Sequence, residues 1–133
     1  MLETQVKVRF CETDLLGHIN NTSYFIYMEE ARGNFLELFD YKKSLENQFF
    51  IVASVRCDFI QQGYYKQVFT IKTCISKIGT KSIELQHEII CSETNKVIAQ
   101  GSDVLVYFDR EGQNSIPIPN ALKDLLSTHM VYK

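Results

Sequence analysis

Hydrophobic and polar positions alternate at the start of the chain. Val6, Val8 and Phe10 fall on one face and Lys7 and Arg9 on the other, which predicts a half-buried strand over residues 5–11. A polar loop follows from Glu12 to Asn21, carrying Gly17. The period then lengthens. Tyr24, Tyr27, Met28, Ala31, Phe35 and Leu38 fall at i, i+3, i+4, i+7, i+11 and i+14, a single apolar stripe on a helix. Asn20, Asn21, Thr22 and Ser23 each supply a candidate N-cap. Gly33 inside this helix costs about 1 kcal/mol relative to Ala, and predicts a close approach of another backbone. From Phe49 the period returns to two. Residues 49–60 form a strand, with Val55, Cys57 and Phe59 facing one way and Arg56 and Asp58 the other. Gly63 breaks it. Phe69, Ile71, Thr73 and Ile75 mark the next strand, and Gly79-Thr80-Lys81 turns the chain. Ile83, Leu85, His87 and Ile89 mark another, and Glu93-Thr94-Asn95 turns it again. Residues 97–108 are a long last strand. The tail from Ile118 to Thr128 predicts a short helix beside Pro117 and Pro119.

The order is strand, long helix, then four strands in a meander, so the fold class is α+β. Strands joined by tight turns are antiparallel, and a single amphipathic helix covers one face of such a sheet. The economical solution is an antiparallel five-stranded sheet curved around one long central helix. Its outer face and edge strand stay partly open, which points to a homodimer or homotetramer built by sheet extension.

Composition narrows the function. The chain has 133 residues, with 14 Lys+Arg against 16 Asp+Glu and 45% hydrophobic residues, which predicts one globular domain spanning residues 1–133. A net charge of -2 argues against nucleic acid as a partner. No apolar run approaches the ~20 residues of a membrane span. The N-terminus lacks a basic region and an apolar core, so the expectation is a cytoplasmic protein without a signal peptide. The four cysteines, Cys11, Cys57, Cys74 and Cys91, form no CxxC pair and read as reduced thiols. The three histidines lack metal-binding spacing, and neither a metal nor another cofactor is expected. GxSxG, GxGxxG and P-loop motifs are absent.

The informative segment is Val8-Arg9-Phe10-Cys11-Glu12-Thr13-Asp14-Leu15-Leu16-Gly17-His18-Ile19-Asn20-Asn21-Thr22-Ser23-Tyr24. It places two carboxylates, a histidine and two asparagines between a strand and a helix start. A helix N-terminus offers unpaired N–H groups and partial positive charge, suited to an oxyanion. A nearby carboxylate can activate water or attack a carbonyl. The same residue types also serve turns and caps.

This stretch resembles the signature of the hot-dog-fold acyl-CoA thioesterases, the 4-hydroxybenzoyl-CoA thioesterase-like family. The matching positions are Phe10, Glu12-Thr13-Asp14, Gly17-His18-Ile19-Asn20-Asn21, Tyr24, Tyr27, Glu29, Ala31 and Arg32. The GHxNN form is more similar to long-chain acyl-CoA and plant acyl-ACP thioesterases than to the 4-hydroxybenzoyl-CoA enzyme. The resemblance implies the hot-dog fold and hydrolysis of an acyl-CoA substrate. It puts the catalytic carboxylate on Asp14, as nucleophile or as general base, and the carbonyl-polarising backbone N–H at or near Asn21. His18 and Asn20 are implied to order the loop or the attacking water. Tyr24, Tyr27 and Glu29 are implied to lie near the substrate, with Glu29 and Arg32 also forming an i,i+3 pair. Gly79 and Ser82 match a Gly-xx-Ser turn near the CoA-binding edge, where Lys66, Lys77 and Lys81 could meet phosphates. Gln62 stands where the family usually has proline before Gly63. Two other readings remain: a non-catalytic hot-dog protein that binds acyl thioesters or assembles with partners, and a dehydratase. The latter needs a catalytic histidine paired with a carboxylate on the helix, and His18 precedes the helix.

Overall fold

The computed structural model describes residues 1–39 and 47–130. Strand β1 (Leu2–Lys7) leads into a 3-10 turn at Phe10–Glu12 and then into helix α1 (Asn21–Glu37). Four long strands follow: β2 (Gln48–Phe59), β3 (Val68–Ile78), β4 (Ser82–Cys91) and β5 (Val97–Asp109). A two-residue strand β6 (Asn114–Ser115) and helix α2 (Asn120–Ser127) complete the order.

The sheet runs β1-β3-β4-β5-β2, with β6 beside β5 and every pair antiparallel. Register irregularities at Val52/Ser54, Ile75/Lys77 and Ile89/Ile90 interrupt the ladders. Such bulges bend strands and raise their twist, which lets the sheet curve. Helix α1 packs against β1, β2, β3 and β4, burying Tyr24, Tyr27, Met28, Ala31, Phe35 and Leu36. The apolar core falls into two clusters. One gathers Tyr24, Tyr27, Met28 and Ala31 with Phe69, Ile71, Ile89 and Ala99. The other gathers Phe35 and Leu36 with Ile75, Leu85, Leu105 and, from α2, Leu126. Thr73, His87 and Asp103, all buried, occupy inward strand positions between the two. Arg32 reaches them from α1 and bonds Asp103.

Most elements match the alternation of the sequence, and four expectations are corrected. The first strand begins and ends earlier than residues 5–11: it stops at Lys7, and Phe10 swings into the 3-10 turn with 74% of its surface exposed. Leu38 is the C-terminal cap of α1 and exposed, while Leu36 is buried in its place. The four later strands are not one meander. β3, β4 and β5 are consecutive, but β2 pairs with β5 at the far edge from β1. A strand's neighbour is set by where its inward residues find cover, which alternation alone does not encode. Finally, Gly33 is exposed and a Cβ there would meet nothing within 4 Å, so no backbone of the described residues outside α1 approaches it.

Helical glycine with open space around it carries its entropy cost without a packing return. Gly33→Ala should therefore stabilise the protein by roughly 0.5–1 kcal/mol, read as a higher urea midpoint at unchanged slope; an unchanged or lower midpoint contradicts the open environment.

Candidate active site

The loop between β1 and α1 is closed by backbone bonds. The Asp14 N–H donates to the His18 carbonyl at 2.7 Å, the Ile19 N–H to Gly63 at 2.9 Å and the Asn20 N–H to Glu12 at 2.9 Å. Gly17 takes a φ of +77° at the bend, a conformation natural to glycine. Gly63 has no room for a side chain, since a Cβ there would lie within 3 Å of Ile19, Phe69 and Tyr24. The segment after β2 therefore presses directly on this loop.

Glu12 is the hub, and its carboxylate escaped the sequence reading as a site residue. Only 4% exposed, it accepts bonds from the Arg9 N–H at 2.8 Å, the Arg9 guanidinium at 3.0 Å and the Tyr27 hydroxyl at 3.0 Å. Its carbonyl also accepts from Ser23 Oγ at 3.1 Å. One residue thus joins the end of β1, the loop and the first two turns of α1. Burial pushes the Glu12 carboxyl up, but the bonds from Arg9 and Tyr27 outweigh it, and its pKa lies below the ordinary value. Burial, and then the bond to Glu12, raise the Tyr27 hydroxyl. Burial also pushes Tyr24 up to about 12. Both tyrosines are core residues in this chain.

Asp14 is exposed at the tip of the loop. Its Oδ1 accepts the N–H of Leu16 at 2.8 Å and of His18 at 3.0 Å. These bonds fix the carboxylate's orientation, and Oδ2 receives no hydrogen bond from the described residues. Asn20 is the N-cap residue of α1, but its side chain makes no capping bond; its Nδ2 donates instead to the Thr13 carbonyl at 3.3 Å. The first turn of α1 contains no acidic residue. Asn21 opens the helix, so its N–H has no intrahelical acceptor. The His18 ring stands edge-on to Tyr64 at 5.1 Å.

The structure thus brings Asp14, His18, Asn20 and Asn21 together. Glu29 sits two turns along α1, exposed, with a carboxylate oxygen 3.9 Å from Arg32. Gly79 and Ser82 form the β3–β4 turn, where the Gly79 N–H donates to the Ser82 carbonyl at 2.7 Å. They lie at the other end of β3 from Phe69, the residue that abuts Gly63. Lys77 and Lys81 flank that turn, whereas Lys66 lies over the Tyr65 ring beside the loop.

The arrangement presents an oriented carboxylate on the loop that feeds an uncapped helix start, a combination of groups suited to acyl transfer. Comparison with known proteins identifies the family. Residues 8–126 match the model of the thioesterase-like superfamily, and the chain belongs to that family. It is similar to the long-chain acyl-CoA thioesterase FadM of Escherichia coli, 26% identical over 94% of this chain and 96% of that protein. It is likewise similar to the acyl-CoA thioesterase YbgC of Helicobacter pylori, 28% identical over 91% of this chain and 96% of that protein. Among solved structures, YbaW, a probable thioesterase from Escherichia coli, superposes with a TM-score of 0.86 at 25% identity, covering 98% of this chain and all of the other. A predicted thioesterase from Bacillus stearothermophilus gives a TM-score of 0.86 at 29% identity over 98% of this chain and 97% of the other. The fold is the hot-dog thioesterase fold, and the relatives support thioesterase activity in general. No described helix is long and apolar enough to cross a membrane.

Because the folded protein holds the Glu12 proton less tightly than the unfolded chain, Glu12 stabilises the fold above the free glutamate pKa of about 4.3. That contribution is lost as the pH falls through the lower folded value. Glu12→Gln should cost about 1–3 kcal/mol at neutral pH, with the gap to wild type closing in acid. Urea midpoints measured across the acid range check this, and a gap that does not change with pH contradicts it.

Proposed function

We propose that this protein hydrolyses the thioester of a fatty acyl-CoA to the free acid and CoA in the cytoplasm. The observation that carries the reading is the oriented Asp14 carboxylate on the loop that leads into the uncapped start of α1. In this reaction the backbone N–H of Asn21 donates to the thioester carbonyl oxygen and stabilises the oxyanion that develops there. Asp14 uses the free side of its carboxylate either to take a proton from an attacking water or to attack the carbonyl itself. His18 and Asn20 hold the loop in place, Asn20 through the Thr13 carbonyl. Water is the co-reactant, and CoA leaves as the thiol.

The slot for the acyl group needs a second copy of the chain. β2 is an edge strand of 12 residues. Ile51, Val52, Val55 and Phe59 along it are all at least 37% exposed. A long apolar edge of this kind is a template for pairing. We place a second β2 against it, which extends the sheet and covers the inner apolar stripe beside α1. The acyl chain then runs along this seam with Tyr24, whose ring meets Phe59 at 5.3 Å, and Glu29 beside it, whereas Tyr27, bonded to Glu12 on the β1 side, lies away from it. Gly79 and Ser82 of a neighbouring copy would approach the CoA. Sedimentation should accordingly show a species of at least twice the 15.4 kDa chain mass; a monomer at micromolar concentration removes the seam.

Two substitutions test the chemistry with the fold preserved. Asn at position 14 keeps an Oδ1 that accepts from Leu16 and His18, so Asp14→Asn should fold normally and lose about 10²–10⁴ in kcat. Proline is well tolerated in the first position of a helix, and Asn20, with φ -62° and ψ 136°, already has the extended conformation that proline demands of its predecessor. Asn21→Pro deletes the proposed donor alone and should lower kcat by about 10²–10³. Near-normal turnover in either variant contradicts its assigned role. Acyl-CoA binding without hydrolysis by the wild type would instead make this a binding protein.

A further inference from the structure

Glu12 carries a buried charge to which hydrolysis at Asp14 gives no part. Its carboxylate accepts four hydrogen bonds, from the Arg9 N–H at 2.8 Å, from Arg9 Nε and Nη2 at 3.2 and 3.0 Å, and from the Tyr27 hydroxyl at 3.0 Å. Taking a carboxylate out of water is costly even when it is paired. A helix start is ordinarily closed more cheaply, by the side chain of its N-cap residue. Asn20 makes no such bond, and the start of α1 is held by Glu12 instead.

The bonds lead from Glu12 to the first peptide of the helix. The Glu12 carbonyl accepts the Asn20 N–H at 2.9 Å and the Ser23 hydroxyl at 3.1 Å. The Asn20 carbonyl in turn accepts the Ser23 N–H at 2.9 Å. Asn20 is therefore held at both of its backbone polar groups, and both bonds return to Glu12, the second by way of Ser23. The peptide unit between Asn20 and Asn21 is planar and trans, so fixing the Asn20 carbonyl also fixes the Asn21 N–H, which points the opposite way. A capping side chain would sit among the N–H groups of the first turn. The Glu12 carbonyl closes the turn without one, and the Asn21 N–H makes no bond to the described residues.

We propose that Glu12 is the positioning residue of the oxyanion site: its backbone carbonyl, clamped through its own buried carboxylate, sets the direction of the Asn21 N–H. This rests on the reading of that N–H as the donor to the thioester oxygen. Tyr27 and Ser23 belong to the same device. The Tyr27 hydroxyl locks the Glu12 carboxylate, and the Ser23 side chain joins the Glu12 carbonyl to the first turn of α1. None of the three touches substrate. A donor that has lost its alignment costs little in the ground state, where the carbonyl carries little charge, and most in the transition state, where the charge develops. Loosening the device therefore lowers kcat and leaves KM in place.

The experiment is a double-mutant cycle in turnover. The substrate is whichever straight-chain acyl-CoA, from butyryl-CoA to palmitoyl-CoA, the wild type hydrolyses fastest. Ser23→Ala and Tyr27→Phe are each assayed alone and combined with Asn21→Pro, with rates referred to protein shown to be folded by circular dichroism. Ser23→Ala suits a helix and Tyr27→Phe keeps the ring, and if one of them fails to fold the other carries the test. Each alone should lower kcat about 3–30-fold with KM changed by less than about twofold. In the Asn21→Pro background the donor is already gone, and neither should lower kcat by more than about twofold. Equal losses in the two backgrounds, a rise in KM at constant kcat, or no loss at all overturn the positioning role and leave hydrolysis at Asp14 standing. Near-normal turnover by Asn21→Pro overturns the oxyanion donor and the positioning role with it. Hydrolysis of no member of the series by wild type overturns the thioesterase reading as a whole.

Discussion

Arg32 reaches from α1 to Asp103 on β5, Asp103 holds His87 on β4, and His87 holds Thr73 on β3. Apolar packing is non-directional, and a helix resting on a smooth apolar sheet is free to slide or roll at modest cost. Directional bonds from one helix residue across three successive strands remove that freedom. Asp103, His87 and Thr73 are buried and Arg32 is only slightly exposed, so breaking the pair by removing one side leaves a poorly compensated charge, at about 3–5 kcal/mol. The arrangement is itself costly, since Asp103 Oδ1 has no hydrogen-bond partner among the described residues, at about 1–3 kcal/mol. Specificity of helix position is the return, and the two apolar clusters on either side supply the bulk of the burial.

The helix is held again at its start. Glu12 binds Tyr27 through its carboxylate and Ser23 through its carbonyl. Between Glu12 and Arg32 the axial position of α1 is determined twice, from opposite sides of the apolar contacts of Tyr24 and Met28. An oxyanion donor is useful only if it does not move while charge develops. The loop carrying Asp14 is anchored to this same helix start and to Gly63. The loop with the candidate chemistry is therefore mounted on a helix start that is itself held in place, as expected where loops carry function on rigid scaffolds.

Much of this was legible in the chain. Period-two alternation marked β2 to β5, and the 3.6-residue stripe marked α1, because burial on one face leaves that trace directly. The cluster of Asp14, His18, Asn20 and Asn21 was legible because its members are neighbours in sequence. The polar cluster was not. Thr73 and His87 fall on the alternating positions that mark β3 and β4, but nothing local says that Asp103 and Arg32 meet them. A usable signal did exist: a histidine and an aspartate at inward positions of neighbouring apolar strands need partners inside. Glu12 was hidden for a related reason, since its carboxylate looks like any turn acid until Tyr27 comes round the helix to meet it. The glycines divide the same way. Gly63 matters because three side chains close on it, whereas Gly33 faces open space, and a sequence shows both only as missing side chains.

The sequence by itself determined the element types, the inward faces of the strands, the helix stripe and the loop that carries the candidate chemistry. These are recorded in local periodicity and in residues a few positions apart. Only the tertiary structure decided that β2 crosses to pair with β5 and leaves a long apolar edge open. It also decided that Arg32 finds Asp103 71 residues away, and that one carboxylate, Glu12, ties strand, loop and helix together. Those outcomes depend on which distant groups can shield one another from water, and that is a property of the packed chain rather than of any segment of it.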